Sequence, residues 1–211
     1  MSNLLRDIIF TLFFRPLVWV VLGLNVKYRN RLPMKGPAIL VANHNSHLDT
    51  IVLMSLYPRE SVSQVRPVAA ADYFLKNRYL KWFCQCILQI IPIHRVFKKN
   101  KFHDPLHKIS AALRQGAIVI YYPEGTRGEP EKMGKFKKGI MHLAKRHPKV
   151  PIVPVYLEGL GKVLPKGEKL LVPFNVKAVI GNPMPRLENK NDFINSLREQ
   201  ISSLAKEFYY V

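Results

Sequence analysis

The sequence predicts an α/β fold in which a mixed, largely parallel central sheet is flanked by helices and preceded by an N-terminal two-helix membrane-binding motif. Three observations predict it. Short apolar runs alternate with segments of helical period along most of the chain. The 211 residues suit one domain with a real core. The N-terminus is instead a nearly continuous apolar segment with a charged break, and a basic cluster follows it directly. The expected boundaries are residues 1–27 for the helical motif and 28–211 for one globular domain.

From Ile8 to Leu24 run 17 mostly apolar residues, about 26 Å as a helix and just short of a ~30 Å hydrocarbon core. Arg15 stands at the centre, where insertion costs roughly 2.5 to 3.5 kcal/mol, and Pro16 breaks or restarts a helix. Two short helices are therefore expected. Leu5, Ile8, Ile9, Leu12 and Phe13 share a face of the first, and Leu17 to Leu24 is apolar all round, with Trp19 suited to an interface. Lys27, Arg29, Arg31 and Lys35 would meet anionic head groups once such helices were embedded. This reads as a monotopic anchor on an anionic phospholipid membrane, with a full span and a buried core helix as the competing readings. A cleaved signal peptide fits poorly, because Asp7 offsets Arg6 and no clear small-residue cleavage site follows.

Beyond residue 30, buried strands are expected at Ala38 to Ala42, Val65 to Ala70, Ala117 to Tyr122, Ile152 to Leu157 and Val176 to Ile180. Helices are expected near 47–57, 73–88, 104–115, 135–147 and 192–208. The last has Phe193, Leu197, Ile201, Leu204 and Phe208 on one face, with Asn191 or Asp192 placed to cap its start. No repeat or low-complexity segment interrupts the pattern.

Lys and Arg number 33 against 14 Asp and Glu, a net charge of +19 that favours anionic partners: phospholipid, nucleic acid or acidic carrier proteins. No nucleic-acid-binding module accompanies that charge, so nucleic acid is not the expected partner. The two cysteines, Cys84 and Cys86, are too close for an ordinary disulfide and too few for a metal cage, which fits a reducing, cytosolic setting.

Two loops carry the chemistry. In "NHNSHLD", Asn43 to Asp49, the chain turns out of a strand, Ser46 is placed to cap a helix, and Asp49 lands three residues later. On one reading Asp49 merely closes a capping box, with the histidines solvated and His47 a surface residue at the helix start. On the other, His44 at the strand end receives a hydrogen bond partner in Asp49, which fixes its tautomer and stabilises the imidazolium that forms when it acts as a general base. His44, His47 and Asp49, or His103 with His107, could be read as metal ligands, but Pro105 and the missing third ligand argue against a metal. In "PEGTRG", Pro123 to Gly128, Gly125 permits close backbone approach and Arg127 offers a forked donor to phosphate. Lys137 and Lys138 of "FKKG" add charge to the same region, and Arg95 ends the apolar run "IPIHR". No G-x-S-x-G elbow supplies a protein nucleophile, so the nucleophile can belong to a substrate.

These blocks resemble the 1-acylglycerol-3-phosphate acyltransferase family. "NHNSHLD" at 43–49, "IPIHR" at 91–95, "YPEGTR" at 122–127 and "IVPVY" at 152–156 are similar, in order, to the family's four blocks. The resemblance implies an acyltransferase catalytic domain over 28–211 on the cytoplasmic face of a membrane. His44 would deprotonate the free hydroxyl of a lysophospholipid while Asp49 orients the imidazole. The hydroxyl would attack the thioester of acyl-CoA or acyl carrier protein, used as co-substrate with no cofactor. Arg95, Glu124, Gly125, Thr126 and Arg127 would form the acceptor phosphate site, Glu124 by positioning an arginine, with Lys137 and Lys138 as additional anion contacts. The preferred acceptor is 1-acyl-sn-glycerol 3-phosphate, giving phosphatidic acid; lyso-ornithine lipid, glycerol 3-phosphate or another lysophospholipid is the alternative. Trp82, Phe83 and the cysteines of "LKWFCQCIL" read as core or as the wall of an acyl-chain tunnel. A non-enzymatic basic protein that binds membranes or nucleic acid is the remaining class, and it would leave four ordered blocks accidental.

Overall fold

The computed structural model describes residues 2–71, 77–93, 104–129, 132–163, 175–185 and 190–208; Arg95 and His103 lie outside them. Seven strands form one sheet: β1 (Asn25–Lys27), β2 (Ala38–Ala42), β3 (Val65–Ala70), β4 (Ile91–Ile93), β5 (Ile118–Tyr121), β6 (Ile152–Glu158) and β7 (Lys177–Ile180), in the order β1-β7-β6-β2-β5-β3-β4. Every neighbouring pair is parallel except β6 with β7. The five expected strands are all present. The edge strands β1 and β4 span three residues each, too short for a periodic apolar signal.

Strand β2 is wholly buried because both faces of the sheet are covered, as a largely parallel sheet requires. Ala38, Leu40 and Ala42 enter one core with Phe10, Val18 and Leu22 of the N-terminal helix, Val52, Leu53 and Leu56 around α2 (Leu48–Ser55), and Cys84 of α4 (Arg78–Cys86). Ile39 and Val41 enter the other with Ile109 and Leu113 of α5 (His107–Arg114), Ile140 and Leu143 of α6 (Gly139–Arg146), and Phe193, Leu197 and Ile201 of α8 (Lys190–Lys206). The short helices α3 (Arg59–Val62) and α7 (Leu160–Val163) complete the set among the described residues. Helix α8 already begins at Lys190, ahead of the caps expected at Asn191 or Asp192.

The N-terminus departs from expectation. Helical conformation is continuous from Ser2 to Val21, beginning as α1 (Ser2–Ile9) and crossing Arg15 and Pro16 without a break. Flanking π-helical turns explain this: Arg15 N–H bonds to Phe10 O, and Leu22 N–H to Leu17 O at 2.9 Å. The wider i→i−5 coil opens room for the Pro16 ring, whose missing N–H costs nothing where the bonding pattern is already changing.

One side of this helix joins the core and the other is bare. Phe10, Val18 and Leu22 are buried, whereas Leu4, Leu5, Ile8, Leu12, Phe13 and Val20 are exposed. The charges point inward instead. Arg6 is fully buried, donating to Val65 O at 2.9 Å, Gln89 Oε1 at 2.9 Å and Ser63 O at 3.4 Å. Burial lowers its pKa to about 10. Arg15 turns back to Tyr57 O at 2.6 Å. The central charge that argued against one spanning helix is thus satisfied by protein, and the outer face is left apolar. Arg29 also bonds inward, to Leu56 O at 2.7 Å, with its guanidinium 5.6 Å over the Trp19 ring.

Candidate active site

Because β2 and β5 are parallel neighbours in a register that pairs Val41 with Tyr121, the loops leaving their carboxyl ends lie side by side. Open α/β sheets characteristically bind ligands at that edge. Asn43 extends the junction past the ladder: its amide donates to Leu157 O and accepts from Leu157 N–H, both at 2.8 Å. The chain then turns sharply enough for Asp49 to reach back. Asp49 Oδ2 accepts from His44 Nδ1 at 2.8 Å, from Asn45 N–H at 2.7 Å and from Ser46 N–H at 2.9 Å. Ser46 Oγ accepts from Leu48 N–H at 3.3 Å. The backbone bonds of the capping reading and the histidine–carboxylate contact of the other are both present: the carboxylate that accepts from the Asn45 and Ser46 amides also accepts from the imidazole. An ionised carboxylate only accepts, so it makes Nδ1 the donor and leaves the Nε2 lone pair for a substrate proton. Asp49 is completely buried while the His44 side chain keeps 15% exposure, which suits one as support and the other as reactant.

Long-range contacts set the imidazole plane. Tyr122 stacks on His44 with centroids 4.0 Å apart and planes 18° from parallel, and its hydroxyl lies 3.0 Å from Thr50 Oγ1. Burial, and then the Asp49 charge, raise the phenol well above its usual pKa, so it remains neutral. Glu124 Oε1 accepts from the His44 backbone N–H at 2.9 Å and Oε2 from Gly134 N–H at 2.8 Å. Its carboxylate thus holds the main chain of His44 and of Gly134. Burial raises its pKa, while those two amide bonds oppose the shift. A Cβ at Gly134 would lie 2.6 Å from Glu124 Oε2, so a side chain there would push the carboxylate off its present position. The same loop is gripped from α8, where Arg198 donates to Gly134 O at 2.7 Å and Met133 O at 3.1 Å.

The second loop presents its cations beside this base. Gly128 N–H donates to His44 O at 2.9 Å, and Lys137 N–H to Pro123 O at 2.8 Å. Gly125 adopts φ +70°, and a Cβ there would lie 2.9 Å from Lys137 Nζ, so the lysine lies directly over the glycine. Thr126 is exposed and Arg127 half-buried. Lys138 is exposed at the N-cap of α6. His47 is not the surface residue expected: it is half-buried, and burial first, then the charges of Arg127 and His44, lower its pKa to about 4. Arg95 lies outside the described residues. The sequence reading missed Tyr122 and Arg198. Tyr122 stood inside the "YPEGTR" block, whereas nothing near Arg198 marked it.

A histidine held by a buried carboxylate, stacked on a tyrosine and set beside a cation-bearing loop, is the kind of arrangement that a general base requires, here at the carboxyl edge of a largely parallel α/β sheet. The family model described as Acyltransferase matches residues 23–158, a span that contains every one of these loop residues up to Lys138, and the chain belongs to that family. It is 31% identical over 163 residues to the chloroplastic 1-acyl-sn-glycerol-3-phosphate acyltransferase of Arabidopsis thaliana, covering 76% of this chain and 43% of that protein. A probable 1-acyl-sn-glycerol-3-phosphate acyltransferase of Mycoplasma genitalium is 26% identical over 193 residues, covering 87% and 70%. The chain spans half or less of the length of the plant and algal relatives it matches. Its fold is similar to the crystal structure of the 1-acyl-sn-glycerophosphate acyltransferase of Thermotoga maritima, with TM-score 0.76 and 21% identity over 99% of this chain and 80% of the other.

Proposed function

We propose that the chain transfers a fatty acyl group from an acyl-CoA or acyl carrier protein thioester to the free hydroxyl of 1-acyl-sn-glycerol 3-phosphate, giving phosphatidic acid. The observation that carries this reading is the His44–Asp49 pair at 2.8 Å beside the Glu124 to Arg127 loop. His44 Nε2 takes the hydroxyl proton as the oxygen attacks the thioester carbonyl. The C–S bond then breaks, and the imidazolium returns its proton to the departing thiolate. Holding both reactants at one site makes this direct transfer effectively unimolecular, with no acyl-enzyme required. Gly125, Thr126 and Arg127 with Lys137 are proposed to take the acceptor phosphate, with Arg95 and Lys138 as further contacts. The names of the Arabidopsis and Mycoplasma relatives support the acceptor.

The bare apolar face of the N-terminal helix supports peripheral, monotopic seating on a membrane, which we propose to be an anionic one contacted from its cytoplasmic face. No helix among the described residues is long and apolar enough to cross one. A panel of acceptors crossed with both donors, repeated on Arg127→Lys, tests the function. A lysine cannot reproduce the paired bonds of a guanidinium, so acceptor kcat/KM falls about 10- to 150-fold while the donor KM holds. Preference for a phosphate-free acceptor, indifferent to the substitution, refutes the assignment.

A further inference from the structure

Helix α4 presents an aromatic face that none of the described residues covers. Tyr79 is 76% exposed and Trp82 51%, three residues apart and therefore neighbours on one side of the helix. The opposite side is accounted for: Leu80 and Phe83 pack against the core and Cys84 is buried within it. Trp82 thus belongs neither to the core nor to an enclosed tunnel wall. The face is flanked by exposed Arg78 and Lys81, and the Arg78 guanidinium lies 5.9 Å over the Tyr79 ring. Helix α4 is also joined to the N-terminal helix, because Phe14 meets Phe83 edge-to-face at 6.1 Å. Exposed Leu12 and Phe13 immediately precede that joint.

From this arrangement we propose that Tyr79 and Trp82 form a second membrane contact, seated in the head-group layer of the same anionic bilayer as the N-terminal helix. Amphipathic rings with one polar end favour that layer, and the adjacent cations complement its charge. The inference rests on the proposed seating of the N-terminal helix and deepens it: two contacts joined through Phe14 and Phe83 fix the orientation of the domain on the surface, where one helix alone leaves it free to roll.

The chain has two tryptophans, so each contact carries its own reporter. Under excitation at the red edge of the indole band, where the nine tyrosines do not absorb, Trp19→Phe leaves Trp82 as the sole emitter, and Trp82→Phe leaves Trp19. Both full-length variants are titrated with phosphatidylcholine–phosphatidylglycerol vesicles containing brominated acyl chains. Blue-shifted, quenched emission from both is the expected result. Quenching of Trp19 with Trp82 left at its lipid-free emission overturns the second contact and leaves the anchor standing. No quenching of either overturns both. A blue shift of Trp82 that follows protein concentration without lipid assigns the face to a second copy of the chain and overturns the proposal. As a check independent of fluorescence, Tyr79→Ser with Trp82→Ser weakens vesicle partitioning about tenfold or more with an unchanged circular dichroism spectrum; unchanged partitioning overturns it.

Discussion

Replacing Asp49 by asparagine separates the two duties of one oxygen. In the native protein Oδ2 receives His44 Nδ1 and the amides of Asn45 and Ser46, while the buried Oδ1 has no hydrogen-bond partner among the described residues. An asparagine whose carbonyl oxygen takes the Oδ2 position keeps all three bonds and the helix cap. Its amide group replaces the unpartnered oxygen, exchanging an unpaired part of a buried charge for an unpaired neutral donor. Folding stability should therefore change by no more than about 1 to 2 kcal/mol. Catalysis has no such compensation. An imidazolium and a carboxylate centred about 4 Å apart attract by about 4 kcal/mol at an effective dielectric constant of 20, and the substituted amide offers only a dipole. At 1.4 kcal/mol per tenfold, that corresponds to roughly a 10³-fold loss in kcat, within the range for general-base assistance. The assay is steady-state transfer from a saturating thioester to a lysophosphatidate, run beside thermal melts. Retention of kcat within about threefold refutes the imidazolium argument. A loss of activity that merely tracks a loss of folded protein returns Asp49 to a capping role alone.

Tyr122→Phe keeps the stack on His44 and loses only the contact with Thr50, so its kcat should stay within about threefold, whereas Tyr122→Leu removes the ring plane and should slow transfer about tenfold; equal rates would refute a positioning role. Arg198→Ala frees the Met133–Gly134 carbonyls and, through Glu124, loosens the backbone of His44; kcat should fall about tenfold at unchanged acceptor KM, with Arg198→Lys recovering part of it. A Tm loss without a kcat change would make Arg198 purely structural. His47 contributes a pH effect with a definite sign. Its pKa is about 4 in the folded protein against an ordinary 6.5, so the unfolded chain binds the extra proton and stability falls as pH drops from 6.5 to 4. After allowance for partial exposure the fall is roughly 2 kcal/mol, and denaturant titrations of His47→Gln should lack it.

The strands and the His44–Asp49 contact were legible because their signals are local. Ala38 to Ala42 must be apolar on both faces to lie between two helical layers, and that is visible as a continuous run. His44 and Asp49 meet within a single turn, so five residues of spacing already imply their contact. The π-helical passage across Pro16 was not legible, since a sequence pattern read at 3.6 residues per turn treats proline as a stop.

What lay beyond the sequence depends on which distant segments the sheet brings together. Glu124 reaches His44 across 80 positions because β2 and β5 pair in one register, and Tyr122 comes to lie against the imidazole for the same reason. Arg198 grips a loop 64 positions away because α8 packs over that face of the sheet. The N-terminal helix shows the division most clearly. Its sequence determined that it is helical, apolar and followed by cations; only the tertiary structure decided that Arg6 and Arg15 turn inward to carbonyls of Val65 and Tyr57, leaving Leu4, Leu5 and Leu12 outside. The physical reason is that a buried cation is tolerated only where acceptors are already fixed, and those acceptors are backbone groups whose positions are set by folding of the rest of the chain.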